Sequence, residues 1–187
     1  MSAFEFTFGL ISLLLGLGFA HLADSFAKLV MAGDRVRWDW LSPVAAVLAF
    51  EAGLIYWWYQ WSLKDQGVTL AALAVRAVAC LTLYIVAVAA MPAPGAEKTD
   101  LKESFENSRR LFFGGFGFFV LLVGVLPSFA PHIVFAEGIG GIPWQNLFGL
   151  ALCAACVFTG RRWFHGLVLI FMVGAPALEW LPLAIAG

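Results

Sequence analysis

The sequence predicts an all-α integral membrane protein, a bundle of six transmembrane helices. Of its 187 residues, 62% are hydrophobic and only 12% are charged, whereas soluble domains are roughly half apolar and about a quarter charged. The mean hydropathy is +0.90. Six apolar stretches are long enough for a hydrocarbon core about 30 Å thick, which takes roughly 20 helical residues. We therefore interpret residues 1–187 as a single transmembrane domain.

The six predicted helices cover about 4–30, 41–61, 68–90, 100–129, 143–159 and 163–183. Proline cannot continue a helical hydrogen-bond ladder, so Pro92 and Pro94 are expected to end the third helix, and Pro127 and Pro131 the fourth. Residues 127–143 are apolar yet rich in Pro and Gly, which predicts an interfacial or partly re-entrant loop on the outer side. The opening segment lacks a basic n-region, so we expect the first helix to be retained.

The fourth helix is expected to extend into the cytoplasm. Asp100 and Glu103 resemble a capping box, in which side chains at the start of a helix accept hydrogen bonds from its first N–H groups. Glu106 and Arg110 lie one turn apart and are predicted to form an ion pair. These features together place the start of the helix near Asp100.

The positions of the cations predict that both termini lie outside. Basic residues remain cytoplasmic in membrane proteins, and here they fall around the first, third and fifth connections. The second and fourth connections hold only Lys64. The eight tryptophans lie at or near predicted membrane boundaries, where indole rings are favoured. The cations of the odd connections are Lys28, Arg35, Arg37, Lys98, Lys102, Arg109, Arg110, Arg161 and Arg162.

Three ionisable residues, His21, Glu51 and Arg76, are predicted to lie at mid-membrane. Glu51 is roughly 16 Å from the inner start of its helix, counted at the rise of an α-helix, and the other two lie near the same level. A charge at this depth costs at least ~2.5 kcal/mol, so it is expected to be paired or to face a cavity. Two interpretations stay open: a proton or ion path that uses Glu51, or a structural Glu51–Arg76 ion pair with His21 nearby.

Asp24 extends this predicted cluster toward the cytoplasm. His21, Asp24, Ser25 and Lys28 are spaced so that they share one face of the first helix. Small residues are interleaved with them, and small residues let membrane helices approach closely. The buried polar cluster, or possible ion or proton path, thus comprises His21, Asp24, Glu51 and Arg76.

Other chemistries find little support in the sequence. Cys153 and Cys156 form a C-x-x-C pattern inside the fifth helix, but no activating cation or further ligand is evident, so packing explains them better than redox chemistry. The three histidines lie at different depths, which argues against a haem held by two of them. We expect no metal, no cofactor and no catalytic set. The net charge of −1 gives no indication of a nucleic-acid partner.

Several segments together resemble a group of functionally uncharacterised bacterial multi-pass inner-membrane proteins. They are Leu15–Gly18, Arg35–Trp38, Tyr56–Trp58, Asp100–Lys102, Glu106–Arg110 and Arg161–His165. The resemblance covers most of the chain and implies a bacterial cytoplasmic membrane. It implies no activity.

The leading functional expectation is a non-enzymatic protein that acts as an oligomer or as an accessory subunit of a larger membrane complex. It rests on the small-residue helix faces and on the lack of a catalytic set. The expected partners are the lipid bilayer and further copies or other membrane subunits. The alternative is a small channel or proton-coupled carrier that uses Glu51, Arg76 and His21.

Overall fold

The computed structural model describes residues 3–64, 68–93, 98–129 and 143–180, which form a helical bundle. Four helices, α1 to α4, are long and apolar enough to cross a membrane, while α5 and α6 contain shorter apolar helical stretches. In chain order, the helices are α1 (Ala3–Ala32), α2 (Leu41–Ser62), α3 (Leu70–Ala90), α4 (Leu101–Val120, continued by Leu121–Val125 and Leu126–Phe129), α5 (Pro143–Phe158) and α6 (Arg162–Trp180).

The all-α class is confirmed, and each predicted helix overlaps one in the structure. The α3 helix begins two residues later than predicted, because the Thr69 hydroxyl accepts a hydrogen bond from the Ala72 N–H and caps the helix there. The predicted outer loop lies largely outside the described residues, as does the predicted end of the sixth helix near 183.

Helix α3 lies at the centre of the packing and contacts α1, α2 and α4. Helix α4 also packs against α5, and α2 packs against α6. One apolar core cluster surrounds Leu29, Leu41 and Phe112, and a second surrounds Ile11, Tyr56 and Phe119. The helices α2 and α6 approach closely beside the first cluster, because a Cβ atom at Gly166 would lie 2.4 Å from the ring of Trp40.

We call one end of the bundle the charged end, where α1, α3 and α5 end and α2, α4 and α6 begin. Two short strands pair there in parallel, β1 (Val36–Arg37) with β2 (Thr99–Asp100). The strand pair is reinforced by an ion pair of 3.3 Å between Arg37 Nη1 and Asp100 Oδ2. The sequence predicted no strand in either segment, since two-residue strands carry no periodic signal.

Asp100 caps α4 as the sequence predicted. Its Oδ1 accepts hydrogen bonds from the backbone N–H groups of Lys102, at 2.8 Å, and Glu103, at 3.3 Å. Desolvation raises the pKa of the Asp100 carboxyl, but these two hydrogen bonds and the charge of Arg37 outweigh that effect, and the net pKa is lowered. The carboxylate therefore stays ionised and keeps the cap in place at neutral pH.

The predicted pair between Glu106 and Arg110 is wrong. Glu106 Oε1 instead accepts a hydrogen bond of 3.3 Å from Arg162 Nη1, at the start of α6. Arg162 Nη2 also forms an ion pair with Asp39, just before α2. One guanidinium thus connects the starts of α2, α4 and α6.

Two further side chains donate hydrogen bonds to carbonyl groups at the C-terminal end of α5. Arg109 Nη1 donates hydrogen bonds to the carbonyl oxygens of Thr159, at 2.6 Å, and Cys156, at 3.3 Å. His165 Nε2 donates to the same two carbonyls, at 2.9 Å and 3.2 Å. The last carbonyls of a helix have no partner within it and carry partial negative charge, so cationic and N–H groups stabilise them.

Candidate functional site

A cavity of about 400 Å³ lies between α2, α4, α5 and α6, toward the end of the bundle opposite the charged end. Its walls are mostly aliphatic and aromatic side chains, with a few polar groups. This combination is typical of small-molecule sites, whose volumes run from about 300 to 1,000 Å³. The polar residues of the lining are Glu51, Tyr56, Gln145 and Asn146, and its aromatic residues also include Phe116, Phe119, Phe148 and Phe171.

The first irregular helix beside the cavity is α4, whose segment Leu121–Val125 is a π-helix. Pro127 follows it inside the helical stretch and has no N–H group to donate to the carbonyl of Val123, which lines the cavity. The widened turn lets the helix pass the proline, and the Leu126 N–H bonds to the carbonyl of Leu121. The prediction that Pro127 ends the helix is therefore wrong, since the helix continues to Phe129. π-Turns of this kind are frequent at functional sites.

Asn146 of α5 holds this π-helical turn open toward the cavity. Its Nδ2 donates a hydrogen bond of 2.8 Å to the carbonyl oxygen of Gly124. A Cβ atom at Gly124 would lie 2.7 Å from Asn146 Cγ, so the bond requires a residue without a side chain at 124. An amide and a glycine thus fix the wall that α4 and α5 share.

The second irregular helix is α6, which contains Pro176 in its interior. Pro176 has no N–H to offer the carbonyl of Met172, and both residues line the cavity. Interrupted backbone ladders are tolerated at membrane depth where they line a cavity or are buried in protein. Two helices are therefore interrupted on the walls of one cavity.

Glu51 lies near the middle of α2, roughly 15 Å from Leu41 along the helix axis. Its Oε2 is buried and accepts no hydrogen bond from any group in the part of the chain that the structure describes. No described Lys, Arg or His lines the cavity. A carboxylate in such a place needs a proton or a cation, because an unpaired charge is expensive to bury.

Arg76 is buried on α3, with 3% of its surface exposed, and it does not line the cavity. It lies close to Tyr56 and Tyr59 of α2. Among the described residues, no hydrogen bond or ion pair joins Arg76 to Glu51. The two predicted partners therefore take different surroundings, with Tyr56 common to both.

The other two predicted site residues lie elsewhere on α1. His21 Nε2 is 3.2 Å from the carbonyl oxygen of Met91, where α3 ends, and 3.4 Å from Ser25 Oγ. Asp24 forms an ion pair of 2.7 Å with Lys28 on an exposed face. Of the four residues predicted to cluster, the structure places only Glu51 at the cavity, while His21 connects α1 to the end of α3.

The two cysteines of the C-x-x-C pattern are buried in the apolar core. Cys153 packs against Gly117 of α4, where an added Cβ atom would lie 3.2 Å from Cys153 Cβ. Across the described ranges, no three His, Cys, Asp or Glu side chains converge as a metal site would require. These cysteines fill space between α4 and α5.

Sequence reasoning identified Glu51 but missed the cavity around it. The available signals were Pro127, Pro176 and Asn146, which are unusual residues within apolar helices. The sequence did not show which face of its helix each of these residues occupies, so it did not bring them together around one cavity. No protein-family model, curated protein or solved structure matches the chain.

Proposed function

We propose that the protein is a small membrane carrier that binds its solute in the cavity and uses Glu51 as an exchangeable carboxylate. The observation that carries the proposal is the buried Glu51 Oε2, which faces a cavity of about 400 Å³ without a described cationic partner. Carriers commonly bind near the bilayer midplane beside discontinuous helices. The π-helical turn of α4 and Pro176 of α6 supply two such interruptions.

In this proposal all six helices cross a bacterial cytoplasmic membrane, with both termini outside. Support comes from the charged end, which holds Arg37, Arg109 and Arg162, since cytoplasmic loops are enriched in cations. Helices α5 and α6 are shorter than a perpendicular span of about 20 residues. Local thinning of the bilayer and the packing of both helices against longer neighbours compensate for that difference.

The substitution Glu51→Gln tests the carrier proposal. We expect the variant to unfold at the same temperature as the parent protein or a higher one, because it removes a carboxylate whose buried Oε2 accepts no hydrogen bond from a described group. It is expected to lose solute-driven proton movement. The measurement uses proteoliposomes with an internal pH indicator, challenged with a panel of cationic, neutral and anionic aromatic solutes.

Glu103→Gln is the matched control, since Glu103 is exposed at the start of α4. It is expected to keep both stability and proton movement. The carrier proposal fails if no solute in the panel moves protons through the parent protein, or if Glu51→Gln moves them equally well. A large loss of stability in Glu51→Gln would instead identify a structural carboxylate.

Assembly through α1 is a second candidate function, in which the protein acts as an oligomer or an accessory subunit. Only 28% of the most apolar part of α1 is buried, against 44% in each of α2, α3 and α4. The exposed face includes Gly9, Gly16, Ala20 and Ala27, and the first two have open space where a side chain would lie. Small residues on a membrane-facing helix favour close helix–helix association.

Native mass spectrometry of the protein extracted in mild detergent tests this assembly. We expect a mass larger than that of one chain, and we expect Gly16→Leu to reduce it to the monomer because the added side chain separates the two helices. Gly114→Leu is the matched control, on the exposed face of α4 where there is equally open space. A bare monomer in the parent protein would contradict the assembly.

A further inference from the structure

We infer that the cavity takes an organic cation with an aromatic or aliphatic body, and that Glu51 pairs with its charge. This inference rests on the proposed carrier function and names the chemical class of the solute. Its evidence is the charge of the lining, the shape and chemistry of the walls, and the consequence of exchanging a proton for a cation.

The charge carried by the described lining residues is acidic alone. Glu51 is the ionisable carboxylate of the wall, and no Lys, Arg or His is among the described lining residues. An anionic solute cannot replace the proton of Glu51, because it would face a like charge once the carboxyl ionised, and repulsion is strong in a medium of low dielectric constant. A neutral solute would likewise leave the proton on Glu51, since it offers the buried Oε2 no counter-charge. A cation can replace the proton, because it pairs with the ionised carboxylate.

The walls favour a cation with an apolar body over a small inorganic one. Phe116, Phe119, Phe148 and Phe171 line the cavity together with Tyr56. The faces of aromatic rings attract organic cations, as in the aromatic cages that hold quaternary ammonium groups. A metal ion would require several oxygen ligands, whereas the described lining offers one carboxylate among mainly apolar side chains. A volume of about 400 Å³ suits a drug-sized molecule.

Exchange at Glu51 conserves charge. When the protonated carboxyl meets a monovalent cation, the O–H bond breaks, the proton leaves to water, and the carboxylate pairs with the cation. The site is neutral before and after this step. One proton is therefore released for each cation bound, and no net charge is buried at the membrane centre, where it would be costly.

The test uses benzyltrimethylammonium and its uncharged carbon isostere, neopentylbenzene, titrated calorimetrically into the protein in lipid nanodiscs. We expect the cation to bind at least ~10-fold more tightly than the isostere, which corresponds to about 1.4 kcal/mol. Titration in two buffers of different ionisation enthalpy is expected to show about one proton released per cation bound. Empty nanodiscs give the lipid background.

Four variants sharpen the measurement. Glu51→Gln is expected to lose the preference for the cation and the proton release, whereas Glu103→Gln is expected to keep both. Gly149→Phe fills the cavity, because a Cβ atom there meets no other atom within 4 Å, and is expected to block both probes. Gly114→Phe adds the same ring to an exposed face of α4 and is expected to change neither.

The possible failures are distinguishable. If the two probes bind equally, and Gly149→Phe blocks both, the cation class is wrong while a binding cavity remains. If only neutral or anionic solutes of the panel drive proton movement, the carrier proposal is retained and the inference that the solute is a cation is rejected. If neither probe binds above the lipid background and no solute moves protons, both the cation class and the carrier proposal are overturned.

Discussion

Replacing Arg162 with methionine is expected to lower the free energy of unfolding by about 3 kcal/mol, the lower end of the range for breaking a buried ion pair. The loss arises at Asp39, whose side chain is 9% exposed and whose Oδ2 accepts no hydrogen bond from the described residues. Without the guanidinium, that carboxylate is left in a nearly buried position with no counter-charge. Arg162 itself is 31% exposed, so water screens part of the effect.

Thermal and denaturant unfolding in detergent micelles measures this loss. Arg161→Met is the matched control, because Arg161 is the exposed neighbour of Arg162, and it is expected to change stability by no more than about 0.5 kcal/mol. Adding Asp39→Asn to Arg162→Met is expected to recover part of the loss by removing the orphaned charge. Equal stability of the Arg161 and Arg162 variants would show that the charged end is not held by this ion pair.

The second large effect is expected for Arg109→Met, which removes the hydrogen bonds to the carbonyls at the end of α5. We expect a loss of about 2 kcal/mol, since a hydrogen bond from a charged group contributes roughly 1.5–3 kcal/mol to stability. His165 still donates to both carbonyls, which keeps the loss below the upper end of that range. Arg110→Met is the control on the same turn, with an exposed side chain.

Hydrogen exchange gives the sharper readout for Arg109→Met. The amides in the last turn of α5, which end at the Thr159 N–H bonded to Ala155, are expected to exchange faster than in the Arg110 variant. The cap would have no structural role if both variants exchanged alike. Adding His165→Phe is expected to cost more than the sum of the two single changes, because the two residues share acceptors.

The helices, and the clustering of cations at one end, could be predicted from the sequence. Both depend on position along a helix axis, which counting residues gives directly. The direction in which a side chain points around that axis depends on packing. Glu51 and Arg76 do lie within helices that the sequence predicts, but they have different neighbours. Glu106 illustrates the same limit, since its partner lies on α6 and not one turn along α4.

The shape of the cavity depends on how α4 accommodates Pro127, and the sequence by itself does not specify that geometry. Pro127 could end α4, kink it or widen one turn, and each outcome removes the same hydrogen bond. The widened turn is observed where Asn146 of another helix bonds the Gly124 carbonyl. That contact joins residues 22 positions apart, across segments with no common periodic pattern. Such a site emerges only when α4 and α5 are packed together.

The partners of the strand pair and of the Arg162 ion pair emerge at different times during synthesis of the chain. Arg37 and Asp100 are 63 positions apart, whereas Asp39 and Arg162 are 123 apart. At a synthesis rate of about 5–20 residues per second, roughly 3–13 s separate the emergence of the first two partners, and roughly 6–25 s that of the second. During synthesis the β1–β2 pair, which encloses α2 and α3 in the chain, can therefore form first, and Arg162, which completes the charged end, emerges later.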